Sequence, residues 1–216
     1  MNNENLKDEI ARLVLDELRQ SRLQVGKEKL KIPAAISARH IHLQRYHLEI
    51  LFGKDYELTV LKPISQPGQY AANEKVKLIS WKGEIPNVRV LGPERKQTQV
   101  EISKTDAHTL DIEPVLRKSG DLNKTPGITL EGPKGRLFIH QGVIVADRHI
   151  HMNPKEADLY HLKDGQRVDV KVSGVKSGIL GDVIIRVNEN SALDLHLDTD
   201  DANAFFINNG DLLEII

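Results

Sequence analysis

A mainly β fold, two β-barrel domains related by an internal repeat, is predicted by three observations. From Ile32 onward the chain is a succession of short β-like runs with little helix between them, the pattern of small barrels rather than of a doubly wound α/β sheet. Lys82-Gly83, Gly92-Pro93, Pro126-Gly127, Gly132-Pro133 and Lys134-Gly135 punctuate the runs, and such pairs form turns. Arg39-His40-Ile41-His42-Leu43 recurs about half a chain later as Arg148-His149-Ile150-His151-Met152, which signals two related halves. The chain has 216 residues, 39% of them apolar, enough for a real core.

The elements follow in order. Over residues 1–24, Leu6, Ile10, Leu13, Val14 and Leu18 fall on one helical stripe, charged residues fill the other positions, and Gly26 follows as a stop. This amphipathic helix reads either as a detachable segment on a short linker or as a terminal helix packed on its own domain. Strands are predicted at Ala34–Ser37, Val76–Trp81, Asn87–Leu91, Thr98–Ser103, Gly127–Leu130, Leu137–His140, Gly142–Ala146, Arg167–Val172, Asp182–Val187 and Leu193–Asp198. Thr105–Leu110 and Pro154–Tyr160 are predicted short helices, the second with Asn153 as its cap and Pro154 at its first position.

The repeat carries the chemistry. In an extended segment His-x-His puts both imidazoles on one face and turns Ile41 and Ile150 toward a core. With 9 histidines in the chain, about 0.4 such pairs are expected by chance, so two pairs in the same Arg-His-Ile-His context stand out. A second match aligns Glu101-Ile102-Ser103-Lys104-Thr105-Asp106-Ala107 with His196-Leu197-Asp198-Thr199-Asp200-Asp201-Ala202, each preceded by a β-like run containing Arg89-Val90 or Arg186-Val187. Each half therefore offers a divalent-metal set, His40, His42 and Glu101 in one and His149, His151 and His196 in the other. Three protein ligands without thiolate suit an open, catalytic zinc site. The competing reading is a structural repeat whose histidines bond backbone carbonyls. His47, His108, His140 and His161 lack the repeat context. Arg95, in a Gly-Pro turn leading to Glu101, is placed to hold phosphate or carboxylate in a bidentate fork, or else is a solvated loop arginine.

Several function classes are excluded. There is no cysteine, which removes disulfides, iron–sulfur clusters, thiolate zinc sites and cysteine nucleophiles. Lys+Arg is 30 against Asp+Glu 31, a balance that argues against a nucleic-acid or anionic-membrane surface. No apolar run reaches a membrane span and no secretory signal is evident, so a soluble, cytoplasmic protein is expected. Neither a Gly-x-Gly-x-x-Gly nor a Walker-type loop nor a Gly-x-Ser-x-Gly elbow is present.

At these residues the sequence resembles the PduL-type phosphotransacylases, the phosphate propanoyltransferases associated with bacterial microcompartments. The resemblance runs from about Ile32 to Ala204. It rests on Ser37-Ala38-Arg39-His40-Ile41-His42, Leu51-Phe52-Gly53, Ser65-Gln66-Pro67-Gly68-Gln69, Arg89-Val90-Leu91-Gly92-Pro93, Arg95 through Glu101, Ser119-Gly120-Asp121, Gly142 through Ala146, Arg148 through Met152 and His196 through Asp200. It implies two β-barrel domains, here residues 39–147 and 148–216, with strand 27–38 joining the second. It implies two zinc ions, one on His40, His42 and Glu101 and one on His149, His151 and His196. It implies reversible acyl transfer between coenzyme A and phosphate. Coenzyme A contacts map to Ile36, Ser37 and Ala38, and to Lys82, Arg89 and Asn203, and the catalytic, phosphate-binding residue to Arg95. Relatives carry an amphipathic extension that directs them into a microcompartment, matching the character of residues 1–24. The tail Phe205–Ile216 is expected to add a final strand or a contact between copies of the chain. A metal-dependent thioester hydrolase and a non-catalytic, shell-associated protein are the alternatives.

Overall fold

The computed structural model describes residues 30–216 of the chain. The amphipathic segment read over residues 1–24 lies outside the described residues. The strands are β1 Lys31–Ser37, β2 His40–His42, β3 Val60–Pro63, β4 Tyr70–Ile79, β5 Glu84–Gly92, β6 Gln99–Glu101, β7 Leu116–Arg117, β8 Ile128–Glu131, β9 Arg136–Ile139, β10 Val143–Ala146, β11 His149–Met152, β12 Arg167–Val172, β13 Gly178–Val187, β14 Asp194–Asp198 and β15 Leu212–Ile215. The helices are short: α1 Arg45–Phe52, α2 Lys104–Leu110, α3 Pro154–Leu159 and α4 Thr199–Phe205. The fold is thus mainly β, as the turn-punctuated pattern predicts.

The strands form two sheets. One is a closed barrel in the order β1-β14-β11-β13-β12-β15. The other runs β7-β10-β6-β2-β5-β4-β8-β9, with β3 on β4, and curls as a half-barrel. Each sheet has its own apolar core, around Ile41, Leu48, Leu78, Val90 and Leu130 in the open sheet and around Ile32, Ile150, Val170, Leu180 and Leu195 in the barrel. The tail supplies β15, which lies antiparallel to β1 and β12.

The sequence repeat is a structural repeat. β2 lies parallel to β5 and antiparallel to β6; β11 lies parallel to β13 and antiparallel to β14. His40 faces Glu101 in register, and His149 faces His196. One part of the expected alignment shifts. His40 faces Arg89, whereas His149 faces Ile184 and it is His151 that faces Arg186. Arg186 is therefore not the counterpart of Arg89 but lies two residues further along. A slip of two residues keeps a side chain on the same face of a strand, so the pattern of the sequence does not reveal it.

The two halves also exchange a strand. β10, which leads into the second His-x-His, pairs with β6 of the open sheet, while β1, which leads into the first, pairs with β14 of the barrel. Each strand carrying the third member of a set is flanked by the His-x-His strand of its own half and the leading strand of the other. The segments Ala38-Arg39 and Asp147-Arg148 cross between the sheets where the two sets meet. No helix among the described residues is long and apolar enough to cross a membrane.

Candidate metal centres and active site

Strand alternation explains why histidines come to be buried here. Ile41 and Ile150 are fully buried in the two cores, so the imidazoles on either side of each point the other way. Those faces are covered too: His40, His42 and His149 are buried. Ser37, Glu101, Asp147, His149 and His196 line one small cavity between the sheets. The ligand atoms of His40, His42 and Glu101 lie within 4.8 Å of one another, as do those of His149, His151 and His196.

Backbone carbonyls fix the rings. A carbonyl only accepts, so Nδ1–H donates from His40 to Ala38 at 2.9 Å, from His42 to Leu91 at 3.2 Å and from His149 to Asp147 at 2.7 Å. Nε2 of each ring is left with its lone pair, the arrangement that orients a metal-binding imidazole. His149 and His151 bring their Nε2 atoms to 3.1 Å, and His40 Nε2 lies 3.5 Å from Glu101 Oε2. Two donors each about 2 Å from a tetrahedral ion would stand about 3.4 Å apart. The donor types, the free lone pairs and these separations fit divalent zinc at both sets.

Protonation agrees with that fit at three of the imidazoles. Burial, reinforced by His40 and Arg95, lowers His42 to about 3. Burial, with His196 and Arg186 nearby, lowers His149 to about 3 and His151 to about 4. These imidazoles are neutral at neutral pH. Burial works against charge at His40 and Glu101 as well, but their mutual attraction prevails, raising His40 and holding Glu101 well below the usual carboxylate range.

A family model described as phosphate propanoyltransferase matches residues 33–208. The chain belongs to the phosphate propanoyltransferase family. It is similar to the phosphate propanoyltransferase of Thermotoga maritima, 54% identical over 89% of this chain and 92% of that one. It is 42% identical to that of Alkaliphilus metalliredigens over 92% of this chain and 94% of the relative, and 45% identical to that of Rhodobacter capsulatus over 95% and 96%. The chain is an acyltransferase, with the phosphate acyltransferase activity of this family.

Ile36, Ser37, Ala38 and Arg89 line one cleft of about 740 Å³, together with His40 and His196, which joins it to both three-residue sets. Arg95 is half-buried; its backbone N–H donates to Leu43 and its Nη1 to Ser119 Oγ at 3.2 Å. Lys82 is exposed, beyond the end of β4, paired with Asp111 at 3.3 Å, and Asn203 is exposed on α4; neither is among the residues lining the cleft. Lys62 and Asn209 do line it, and Asn209 Oδ1 accepts the Ile36 N–H at 2.7 Å.

Three further residues of this phosphate propanoyltransferase fold were not singled out as site residues by the sequence. Arg186 lies close enough to Arg95, His149 and His151 to lower their pKa values, Glu101 and Asp164 lie close enough to raise its own, and its side chain makes no hydrogen bond or ion pair among the described residues. Gln99 donates to Glu101 Oε1 at 2.5 Å and to Ser119 Oγ at 2.8 Å, and accepts Gly120 N–H at 2.7 Å. Asp194, its counterpart by register, accepts from His196 Nε2 at 3.1 Å. For Gln99 and Asp194 the available signal was position: each lies two residues before the third member of its set, on the same strand face.

Proposed function

We propose that the chain transfers a short acyl group, propanoyl or acetyl, reversibly between coenzyme A and inorganic phosphate at a two-zinc site. The observation that carries this reading is two facing three-donor sets beside the guanidinium groups of Arg95 and Arg186, opening on a long cleft. In this reading the active site lies between a first domain, residues 39–147, and a second, residues 148–216 completed by β1.

His40, His42 and Glu101 would hold one zinc, and His149, His151 and His196 the other. Zinc bound there would supply Lewis acidity at the reacting carbonyl and stabilise a thiolate. Arg95 holds phosphate in a bidentate fork, its own position fixed by Ser119, which Gln99 in turn fixes. Arg186, half-buried and with no side-chain hydrogen bond or ion pair among the described residues, adds a second cation to the same space. Coenzyme A lies along the cleft wall at Ile36-Ser37-Ala38, with Lys62 and Arg89 available to its phosphates. A phosphate oxygen then attacks the thioester carbonyl, the C–O bond forms, the C–S bond breaks and the coenzyme A thiolate leaves. With no cysteine in the chain no acyl-cysteine can form, which favours direct transfer between two bound substrates. The polar stripe and apolar stripe of residues 1–24 suit a segment that addresses the enzyme to a microcompartment shell.

The test is release of free thiol from propionyl-coenzyme A, with and without phosphate, before and after chelation. Phosphate-dependent release, abolished by chelation and restored by zinc, is expected. Release that ignores phosphate would identify a thioester hydrolase instead.

A further inference from the structure

The geometry points to a positioning relay that crosses from the open sheet into the barrel's ligand set, from Gln66 through Asp194 to His196. This inference rests on the two-metal reading and deepens it.

Gln66 lies in the loop between β3 and β4, far from the barrel in sequence, yet it is only 4% exposed. Its Nε2 donates to Asp194 Oδ1 at 2.8 Å and to the Ala192 carbonyl at 2.9 Å, and its Oε1 accepts the Ala192 N–H at 3.4 Å. One amide from the open sheet thus grips both the segment leading into β14 and the first side chain of that strand. Asp194 is 3% exposed and spends its other oxygen on His196 Nε2 at 3.1 Å. Ser65 bonds the same carboxylate, and a buried carboxylate held this way keeps its ring in one orientation.

The same place in the other half is filled differently. Gln99, opposite His42 as Asp194 is opposite His151, steadies Glu101 through Ser119 and Gly120, residues of its own half. The first set is therefore braced from within its half, and the second from across the junction. Ser65, next to Gln66, lines the coenzyme A cleft together with Asp194 and His196, so the relay forms part of the wall the substrate would touch. Gln66 and Asp194 are positioning residues on this account. If Gln66 merely filled space, an apolar side chain of equal length would serve.

The experiment is a zinc titration of the full chain against a chromophoric chelator, for wild type, Gln66→Met, Asp194→Ala and the double variant. Wild type is expected to bind two zinc ions. Gln66→Met should weaken one of them about 10-fold and Asp194→Ala between about 10- and 100-fold. The double variant should be no weaker than Asp194→Ala, since Gln66 acts through that carboxylate. In a His40→Ala background, which removes the first set, the Gln66→Met loss should persist; in a His149→Ala background it should vanish. Should Gln66→Met fail to fold, Asp194→Asn keeps the volume and the Gln66 contact to Ala192, and the expected loss is again confined to the second set. Two tight sites unchanged by these variants, or both weakened alike, would overturn the relay and leave the two-metal reading intact. A folded wild-type chain that binds no zinc would overturn both.

Discussion

Arg95 is held by one side-chain contact, to Ser119, and touches neither ligand set by hydrogen bond. Burial, with Arg186 close by, lowers its pKa, and the Glu101 carboxylate pulls the other way, so a second anion in this space is favoured. Arg95→Ala should lower kcat/KM by about 10²- to 10³-fold, the scale of removing one preorganised donor to a developing charge. Arg95→Lys should recover only part, because an ammonium does not grip phosphate with a fork. Both variants should retain two zinc ions by mass spectrometry of the native protein; loss of metal would move Arg95 from substrate binding to scaffold. Arg186 carries a distinct signature. It is half-buried beside another cation and its side chain has no hydrogen bond or ion pair among the described residues, so Arg186→Ala should raise the melting temperature of the phosphate-free protein while raising KM for phosphate. At this scale the two histidine pairs were legible because a repeat shows in the sequence. Arg186 was visible only as an arginine matched to Arg89, and the register separates the two.

The elements around the sets share one device. α2 and α4 begin directly after the strands that carry Glu101 and His196, and Ser103 and Asp198 cap them by accepting the N–H of Asp106 and Asp201. The arginine before each His-x-His reaches the same aspartate: Arg39 grips Asp106 at 2.7 and 3.0 Å, and Arg148 approaches Asp201 at 3.6 Å. Each pair ties the strand with two ligands to the helix after the third. Asp106 is 3% exposed and also accepts the Ser103 N–H. Asp106→Ala should therefore destabilise the chain by about 2 kcal/mol, about half from the lost Ser103 N–H bond to the carboxylate and the rest from the partly exposed ion pair. Asp106→Asn, which keeps a cap acceptor, should cost about half of that by urea denaturation. The helix at Pro154 was legible because Asn153 and Pro154 announce it, and both take the expected places. α1 was not, since Gln44 makes no side-chain cap and the helix is held instead by burial of Leu48, Leu51 and Phe52. β3 escaped because all four of its residues are exposed and show no alternation. α4 was hidden in the aspartate run that reads as the end of β14, although its match to the α2 segment contained the signal.

Across the whole molecule, strand exchange puts the two ligand faces against one another, so the charge state of the junction bears on global stability. His42 and His149 titrate at about 3 when folded and His151 at about 4, against about 6.5 when unfolded. Between those values the unfolded chain binds more protons, and stability must fall as pH falls. At pH 5 His42 and His149 each contribute a loss of about 2 kcal/mol, and His151, more open to solvent, contributes less. His40 works in the opposite sense, since its raised value makes its stabilising contribution fully present at low pH and lost as pH rises through it. Glu101, held far down, keeps its contribution until well below this range. Three lowered imidazoles against one raised leave a net loss of stability between pH 7.5 and pH 5. The metal-stripped chain should show this as a falling denaturation midpoint. Zinc at 1,000 times its dissociation constant should raise stability at pH 7.5 by about 4 kcal/mol for each independent site. A midpoint for the stripped chain that rises on acidification would mean that the junction prefers charged imidazoles. A cation would then have no neutral nitrogen to meet, and the facing histidine sets would owe their burial to the strand exchange alone.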